Sequence, residues 1–171
     1  MALQGMIPIR IGMSKRFEVI SGLTKNSILR NTKAKCDIQL VYDPQERGCT
    51  QFSNVRYMLN EAIYLDCDMI VLSDIEELWE YRREGKFVCM ENGQTEVSIP
   101  WCEHKCTNKR EEHLLPKACI IPPEWNVYDC DYYEKPLPEN IKLLHFTSLD
   151  HQPWFHENPC KQAVDIYRQY I

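Results

Sequence analysis

Two aspartates separated by a single residue, Asp66 and Asp68, are the side chains of this sequence best placed to bind a metal ion. They lie between two apolar runs, residues 62–65 and 69–72. Uninterrupted apolar runs are typical of strands covered on both faces in a parallel α/β sheet. Side chains at i and i+2 of an extended segment leave the same face, so we expect both carboxylates to point together at the end of a buried strand, where open α/β sheets bind ligands.

Two neighbouring carboxylates repel each other unless a cation lies between them. Mg²⁺ and Mn²⁺ are hard ions that prefer oxygen ligands, and they usually keep positions for substrate phosphates. On the Asp-x-Asp spacing alone a simpler alternative stays open, in which Asp66 caps a turn and Asp68 faces solvent. The apolar run before the pair and the capped helix expected after it favour the metal site.

The composition restricts the class of protein. A length of 171 residues suggests one domain, and 44% hydrophobic with 26% charged residues is ordinary for a soluble globular protein. The formal net charge of −5 gives no sign of a nucleic-acid-binding surface. No apolar run approaches the ~20 residues of a membrane span, and the first residues lack the pattern of a signal peptide. We therefore expect a cytoplasmic protein.

The nine cysteines are an odd number in a chain too long for a typical disulfide framework. Cys102, His104 and Cys106 form the one cluster with ligand-like crowding, but their spacing is not a standard zinc pattern. We interpret the cysteines mainly as reduced thiols, with structural zinc or a disulfide at this cluster as open alternatives.

The remaining pattern predicts alternating strands and helices in a single α/β domain over residues 1–171. A strand at 7–12, a helix capped by Ser14 and a strand at 36–42 form a βαβ unit. Ser53 is expected to cap a short helix, and Ser73 with Glu76 has capping-box spacing for a helix over 74–81. Asn158 followed by proline predicts the start of the last helix. Further strands are expected at 86–90, 96–99, 117–121 and 142–147, with loop over 124–140.

Residues 64–71, with the sequence Tyr-Leu-Asp-Cys-Asp-Met-Ile-Val, followed by Asp-Ile-Glu-Glu-Leu-Trp at 74–79, resemble the Asp-x-Asp region of glycogenin- and galactosyltransferase-like enzymes of glycosyltransferase family 8. These enzymes have the GT-A fold, a nucleotide-binding α/β domain around one central, mainly parallel sheet. Four further stretches resemble the family in the expected order: 9–12, 53–57, 123–126, and 144–147 with 152–154. The resemblance therefore covers most of the chain.

The resemblance implies a metal-dependent enzyme that moves a sugar from a nucleotide diphosphate sugar, with a UDP-sugar favoured, to a hydroxyl acceptor with retention of configuration. It implies that Asp66, Asp68 and His145 ligate Mn²⁺, or Mg²⁺, which holds the donor diphosphate. A mixed carboxylate and imidazole site suits Mn²⁺ better than Mg²⁺. Without the resemblance, His145 on an apolar strand would more often be a core histidine. The implied donor-binding residues are Ile11, Gly12, Arg56, Asp66, Cys67, Gln152 and Trp154.

Several positions depart from the family pattern. Met13 and Ser14 stand where many relatives have an aromatic residue and an aspartate. Gln152 replaces a lysine expected near the pyrophosphate, and Thr147-Ser148 supplies no glycine beside the diphosphate. The interval from 79 to 125 is short for the family, so acceptor binding is expected to need a following domain or a partner.

The resemblance gives no catalytic base, and none is assigned. Two other classes of function stay open on the sequence. A nucleotidyltransferase would share the α/β sheet and the metal, but it should have a glycine-rich, basic phosphate loop, and the first strand ends with Gly12 alone. A non-catalytic module would bind nucleotide sugar without turnover, or would use the 102–106 cluster as a zinc-stabilised interaction domain.

Overall fold

The structure, a computed structural model, describes residues 5–13, 17–42, 62–84, 86–91, 94–96 and 118–171. The described segments contain nine strands and three α-helices. The strands are β1 Ile7–Met13, β2 Cys36–Tyr42, β3 Ile63–Asp66, β4 Met69–Val71, β5 Lys86–Glu91, β6 Gln94–Glu96, β7 Ala118–Ile121, β8 Val127–Tyr128 and β9 Leu143–His145; the helices are α1 Glu18–Asn31, α2 Ile75–Glu80 and α3 Lys161–Arg168. The helices do not alternate strictly with the strands, since β5 to β9 follow one another without an α-helix among the described residues.

The first sheet has the strand order β2-β1-β3, and both pairings are parallel. The predicted βαβ unit is therefore confirmed, with α1 as the connection between β1 and β2. Ile9 and Ile11 of β1 are fully buried, and Gly12 lies opposite Asp66 at the end of β3. The carboxyl end of this sheet consequently carries the first aspartate of the Asp-x-Asp pair.

A second sheet has the order β4-β9-β8, in which β4 and β9 are antiparallel and β8 and β9 are parallel. A third has the order β6-β5-β7. Four of the six strand pairings in the described residues are parallel. The predicted α/β class with mixed, mainly parallel strands is confirmed.

Two apolar cores lie on opposite faces of β4. Val71 packs into one core together with β1, β3 and α2, whereas Ile70 packs into the other together with Phe146 and Ala163. Successive side chains of a strand point to opposite faces, so a strand between two cores must be apolar at every position. The buried run at 69–71 has this environment, which confirms the prediction of a strand covered on both faces.

Several predicted boundaries differ from the structure. The cap of α2 is Asp74 and not Ser73, because the Asp74 carboxylate accepts the Glu76 amide hydrogen at 3.1 Å. Helix α3 begins at Lys161, later than the predicted start at Asn158. The Asn158 side chain is buried and accepts from the Cys160 amide at 2.8 Å, so it forms a turn before the helix.

Strand β6 covers Gln94–Glu96, and residues 97–99 of the strand predicted at 96–99 lie outside the described residues. Strand β8 lies inside the segment predicted as loop. Phe17, not Ser14, precedes α1, with no side-chain cap. Ser14, the helix predicted after Ser53 and the 102–106 cluster lie outside the described residues. Within the described segments, no helix is long and apolar enough to cross a membrane.

Candidate metal centre

Asp66, Asp68 and His145 come together at the junction of the first two sheets. Asp66 ends β3, Asp68 lies in the turn that leads to β4, and His145 ends β9 opposite Met69. One ligand atom from each side chain lies within 4.8 Å of the others. His145 Nε2 is 3.3 Å from Asp68 Oδ1 and 4.0 Å from Asp66 Oδ2. The three predicted metal ligands are therefore one cluster in space.

The two carboxylates converge through a turn rather than through an extended strand, which corrects the expected geometry. The chain turns at Cys67 and Asp68, between β3 and β4. The Phe146 amide donates to the Asp68 carbonyl at 3.0 Å, next to the pairing of Met69 with His145. This hydrogen bond continues the β4–β9 ladder into the turn and holds Asp68 against the strand that carries the histidine.

Asn126 fixes the orientation of the His145 ring. The Asn126 amide oxygen lies 3.1 Å from His145 Nδ1, and the Tyr128 ring packs edge-on against the imidazole with centroids 5.4 Å apart. An amide oxygen can only accept, so Nδ1 carries a proton and Nε2 is the nitrogen that faces the carboxylates. A histidine that ligates a metal commonly makes such an outer hydrogen bond.

Asp68 is the carboxylate whose surroundings most need a cation. Burial raises the pKa of its carboxyl group, while the neighbouring His145 acts in the opposite direction. Gln152 donates to Asp68 Oδ2 at 3.2 Å, but Oδ1 is buried and has no hydrogen-bond partner among the described residues. Buried polar atoms normally have partners. A divalent cation between Asp68 Oδ1, Asp66 Oδ2 and His145 Nε2 would satisfy all three atoms, so these residues fit a metal ion.

Asp66 is held from its own strand. Tyr64 Oη donates to Asp66 Oδ1 at 2.9 Å, and Tyr64 is buried. The other carboxylate oxygen, Oδ2, is the one nearest His145. Each of the three candidate ligands thus has one hydrogen-bond partner that leaves another atom directed at the cluster.

Helix α1 stabilises the strand and turn of the cluster with polar side chains. Thr24 Oγ1 lies 2.7 Å from the Cys67 carbonyl and 2.8 Å from the Met69 carbonyl, and it can donate to either. The Val71 amide donates to Ser27 Oγ at 2.9 Å, and Asn31 Nδ2 donates to the Val71 carbonyl at 2.8 Å. These side chains therefore bind the edge of β4 that does not pair with β9.

The structure places the other predicted donor-binding residues as follows. Ile11 is fully buried in the first core, so its side chain is not available to a ligand. Cys67 packs partly against the same core, and burial raises the pKa of its thiol. Trp154 packs against Phe146 in the second core, with ring centroids 5.5 Å apart. Gln152 contacts Asp68 as described, and Arg56 lies outside the described residues.

Sequence reasoning missed the outer contacts of the cluster. Asn126 lies in the 123–126 stretch that resembles the family, but its contact with the histidine was not predicted. Thr24 was not singled out at all. A signal for it exists in the spacing of Thr24, Ser27 and Asn31, which places three polar side chains along one side of a helix.

Comparison with known proteins gives matches among solved structures. No protein-family model matches this sequence, and no curated protein matches it. The solved structures that match include the apo form of the glycosyltransferase GlyE of Streptococcus pneumoniae TIGR4, which has a TM-score of 0.69 and 13% identity over 98% of this chain and 60% of that chain. An active-site mutant of LgtC has a TM-score of 0.62 and 8% identity over 96% of this chain and 95% of that chain.

Two further structures of the same kind match. The bifunctional glycosyltransferase WbbM has a TM-score of 0.57 at 12% identity, and covers 90% of this chain. The galactosyltransferase LgtC in complex with donor and acceptor sugar analogues has a TM-score of 0.56 at 9% identity, and covers 96%. This chain spans about 60% of the length of GlyE and about 48% of WbbM. At these identities the likeness establishes the fold, which is the GT-A glycosyltransferase fold.

Proposed function

We propose that this chain is a metal-dependent glycosyltransferase that moves a sugar from a nucleotide diphosphate sugar, most favourably a UDP-sugar, to a hydroxyl acceptor. The observation that carries the proposal is the cluster of Asp66, Asp68 and His145 at the ends of strands in a GT-A fold. The resemblance of five ordered stretches to family 8 glycosyltransferases supports membership of that family and retention of configuration.

In this proposal the three residues bind Mn²⁺ or Mg²⁺ through Asp66 Oδ2, Asp68 Oδ1 and His145 Nε2. The bound ion would supply electrostatic stabilisation for the negative charge that grows on the departing nucleotide diphosphate. Asn126 holds the His145 ring, and Gln152 holds the Asp68 carboxylate. Two aspartates with a neutral histidine balance the charge of a divalent ion before any phosphate binds, which favours retention of that ion between turnovers.

The donor is proposed to bind beside this cluster, at the carboxyl ends of β1 and β3. Gly12 lies opposite Asp66 there, and Gln152 is already in contact with Asp68. A solved structure of LgtC holds donor and acceptor sugar analogues, which makes the same pair of substrates reasonable for this chain. Arg56, Cys67 and Trp154 stay in the proposal as donor contacts that come from the family resemblance. Ile11 stays in it through its main chain alone, because its side chain is fully buried.

Three wider features belong to the same proposal. The chain acts as a single domain over residues 1–171, and acceptor binding needs a partner or a segment that the GlyE structure has in addition. We place the protein in the cytoplasm, because Cys36, Cys67, Cys130 and Cys160 are free thiols, which suits a reducing compartment.

Nucleotide binding tests the proposal. Calorimetry with UDP and with GDP, each with and without Mn²⁺, is compared for the wild type, Asp68→Asn and Asp165→Asn. Asp165 is an exposed carboxylate on α3 and serves as the matched control. We expect UDP binding that requires Mn²⁺, is lost in Asp68→Asn and is unchanged in Asp165→Asn.

Binding without any need for metal, or no binding of either nucleotide at saturating Mn²⁺, would contradict the proposal. If binding requires metal as expected, the release of UDP from a UDP-sugar by the wild type distinguishes an enzyme from a module that only binds the donor. Binding without such release in the presence of varied hydroxyl acceptors would favour the non-catalytic alternative.

A further inference from the structure

Gly12 and Tyr64 occupy adjoining positions beside the candidate metal ligand Asp66. Gly12 pairs with Asp66 across the parallel β1–β3 ladder, and Tyr64 precedes Asp66 by two residues on the same face of β3. The Tyr64 hydroxyl donates to Asp66 Oδ1 at 2.9 Å. The tyrosine ring must therefore extend along β3 toward the end of the sheet, over the position of Gly12.

A side chain at position 12 would occupy the space of this ring. A Cβ atom on Gly12 would lie 1.9 Å from Tyr64 Oη and 2.6 Å from its Cζ. A real Cβ atom essentially never lies within 3.0 Å of another residue's heavy atoms, so any residue other than glycine would displace the tyrosine. The absence of a side chain at position 12 is what allows the hydroxyl to reach the carboxylate.

The hydrogen bond from Tyr64 also gives the two carboxylate oxygens of Asp66 different roles. Oδ1 accepts from Tyr64, and Oδ2 is the oxygen near His145 Nε2, at 4.0 Å. A carboxylate with one oxygen held in this way loses less rotational freedom when the other binds an ion. The contact therefore has a direct consequence for metal affinity as well as for packing.

We propose that Tyr64 is a positioning residue for the metal ligand Asp66, and that Gly12 acts through Tyr64 by leaving room for its ring. The inference rests on the proposed function, because it takes Asp66 to be a metal ligand. It gives Gly12 a role different from direct contact with the nucleotide, and it assigns a function to a tyrosine that would otherwise count as a core residue.

The test measures Mn²⁺ binding without nucleotide, from the loss of the free-ion signal in electron paramagnetic resonance. The variants are Tyr64→Phe, Gly12→Ala and the double variant. Tyr170→Phe is the control for loss of a hydrogen-bonded tyrosine hydroxyl away from the cluster, and Gly22→Ala is the control for a glycine whose added Cβ meets no atom within 4 Å. Thermal unfolding without metal confirms that each variant is folded.

We expect Tyr64→Phe to weaken Mn²⁺ binding about 10-fold, the usual effect of removing a hydrogen-bond partner from a metal ligand. Gly12→Ala should weaken it by at least as much. The Mn²⁺ affinity of the double variant should match that of Gly12→Ala within about two-fold. Gly12→Ala already breaks the contact of the Tyr64 hydroxyl with Asp66, so removing the hydroxyl as well has little further effect. Nucleotide binding by Tyr64→Phe should recover at higher Mn²⁺ concentration, which a general loss of stability would not produce.

The outcomes separate this inference from the proposed function. If the wild type binds no Mn²⁺, the proposed function fails. If the wild type binds Mn²⁺ and Tyr64→Phe binds it equally well, the role of Tyr64 is refuted while the metal site stands. If the losses in Tyr64→Phe and Gly12→Ala add in the double variant, Gly12 acts independently of Tyr64 and that part of the inference is overturned. Should Gly12→Ala fail to fold, Tyr64→Phe alone decides whether the hydroxyl contact matters.

Discussion

The triplet Asp-Cys-Asp occurs twice in this chain, at 66–68 and at 129–131, and the two copies have different surroundings. In the first copy both carboxylates face His145. In the second, the backbone forms a short 3₁₀-helix over Asp129–Tyr132, and Asp129 is fully buried against Asn158, whose amide donates to it at 2.6 Å. The described cluster of metal-ligand type contains residues of the first copy only.

The difference arises from the backbone and from the neighbours, not from the triplet. The first copy follows a buried strand and enters a turn that β9 holds in place. In the second copy the Asp129 carboxylate accepts a hydrogen bond from the neutral side-chain amide of Asn158. This amide also donates to the His151 carbonyl at 2.6 Å. Burial raises the pKa of both Asp68 and Asp129. A buried aspartate with a raised pKa is therefore not enough to indicate a metal site; convergent carboxylate and imidazole groups are.

The two copies should differ most in Mn²⁺ affinity when the charge of one aspartate is removed. We expect Asp68→Asn to lower Mn²⁺ affinity at least about 100-fold, since changes to groups that only contact a ligand already cost 10–100-fold. Stability without metal should stay the same or rise, because a buried charge is removed. Calorimetry and chemical unfolding measure the two quantities. A variant that retains Mn²⁺ affinity would show that the first triplet is not a metal site.

Asp129→Ala should give the opposite result. We expect a loss of about 2 kcal/mol in the free energy of unfolding, because the buried Asn158 amide loses a hydrogen-bond partner and a cavity forms. Mn²⁺ affinity should remain within about two-fold of the wild type, because Asp129 bonds to Asn158 and is not one of the cluster ligands. Loss of metal binding in a folded Asp129→Ala protein would remove the proposed distinction between the triplets.

Thr24→Val tests whether the turn of the first triplet depends on α1. The substitution keeps the shape of the side chain and removes the hydroxyl that contacts the Cys67 and Met69 carbonyls. We expect a destabilisation of about 1–2 kcal/mol, with a several-fold loss of Mn²⁺ affinity as the turn loosens. Thr24→Ser, which keeps the hydroxyl, is the matched control and should restore metal affinity. Equal affinities in Thr24→Val and the wild type would limit the role of this residue to stability.

The smallest expected effect is a pH dependence of stability from the second triplet. The folded-state pKa of Asp129 is raised above its ordinary value of 3.8, chiefly by burial, while the hydrogen bond from Asn158 acts in the opposite direction. The folded state therefore binds the Asp129 proton more tightly than the unfolded state does. The resulting stabilisation of the folded state is fully present below the ordinary pKa and is lost as the pH rises through the folded-state pKa. Asp129→Asn should lack this component. Parallel stability curves for the wild type and Asp129→Asn would contradict the assignment.

Much of the fold could be predicted from the sequence because its periodic patterns are local. The apolar runs on either side of Asp66 and Asp68 correspond to β3 and β4, and the alternating 36–42 segment corresponds to β2. Helix α1 was harder to interpret, since its buried residues include Ser21, Thr24 and Ser27. The Ser21 hydroxyl donates to the Glu18 carbonyl within the helix. The Thr24 and Ser27 hydroxyls are buried because they bind the main chain of the distant residues 67–71, a contact that no local pattern contains.

Asp66 and Asp68 could be proposed as ligands from the sequence because of the apolar run before them and the capped helix after them, whereas His145 could be proposed only with the help of the family resemblance. The Asp-x-Asp spacing does not distinguish the two triplets, and His145 on an apolar strand is typical of a core residue. The contacts of Asn126 and Gln152 join segments that are distant in sequence, and the contact of Tyr64 depends on the space that Gly12 leaves on the neighbouring strand. They became visible only with the structure.

The central claim is that Asp66, Asp68 and His145 bind one metal ion. Pulsed electron paramagnetic resonance of bound Mn²⁺ tests it most directly, because a coordinated imidazole gives a nitrogen modulation. We predict this modulation in the wild type and in Asp129→Asn, and its loss in His145→Gln. Bound Mn²⁺ without nitrogen modulation, or with a modulation that persists in His145→Gln, would contradict the account.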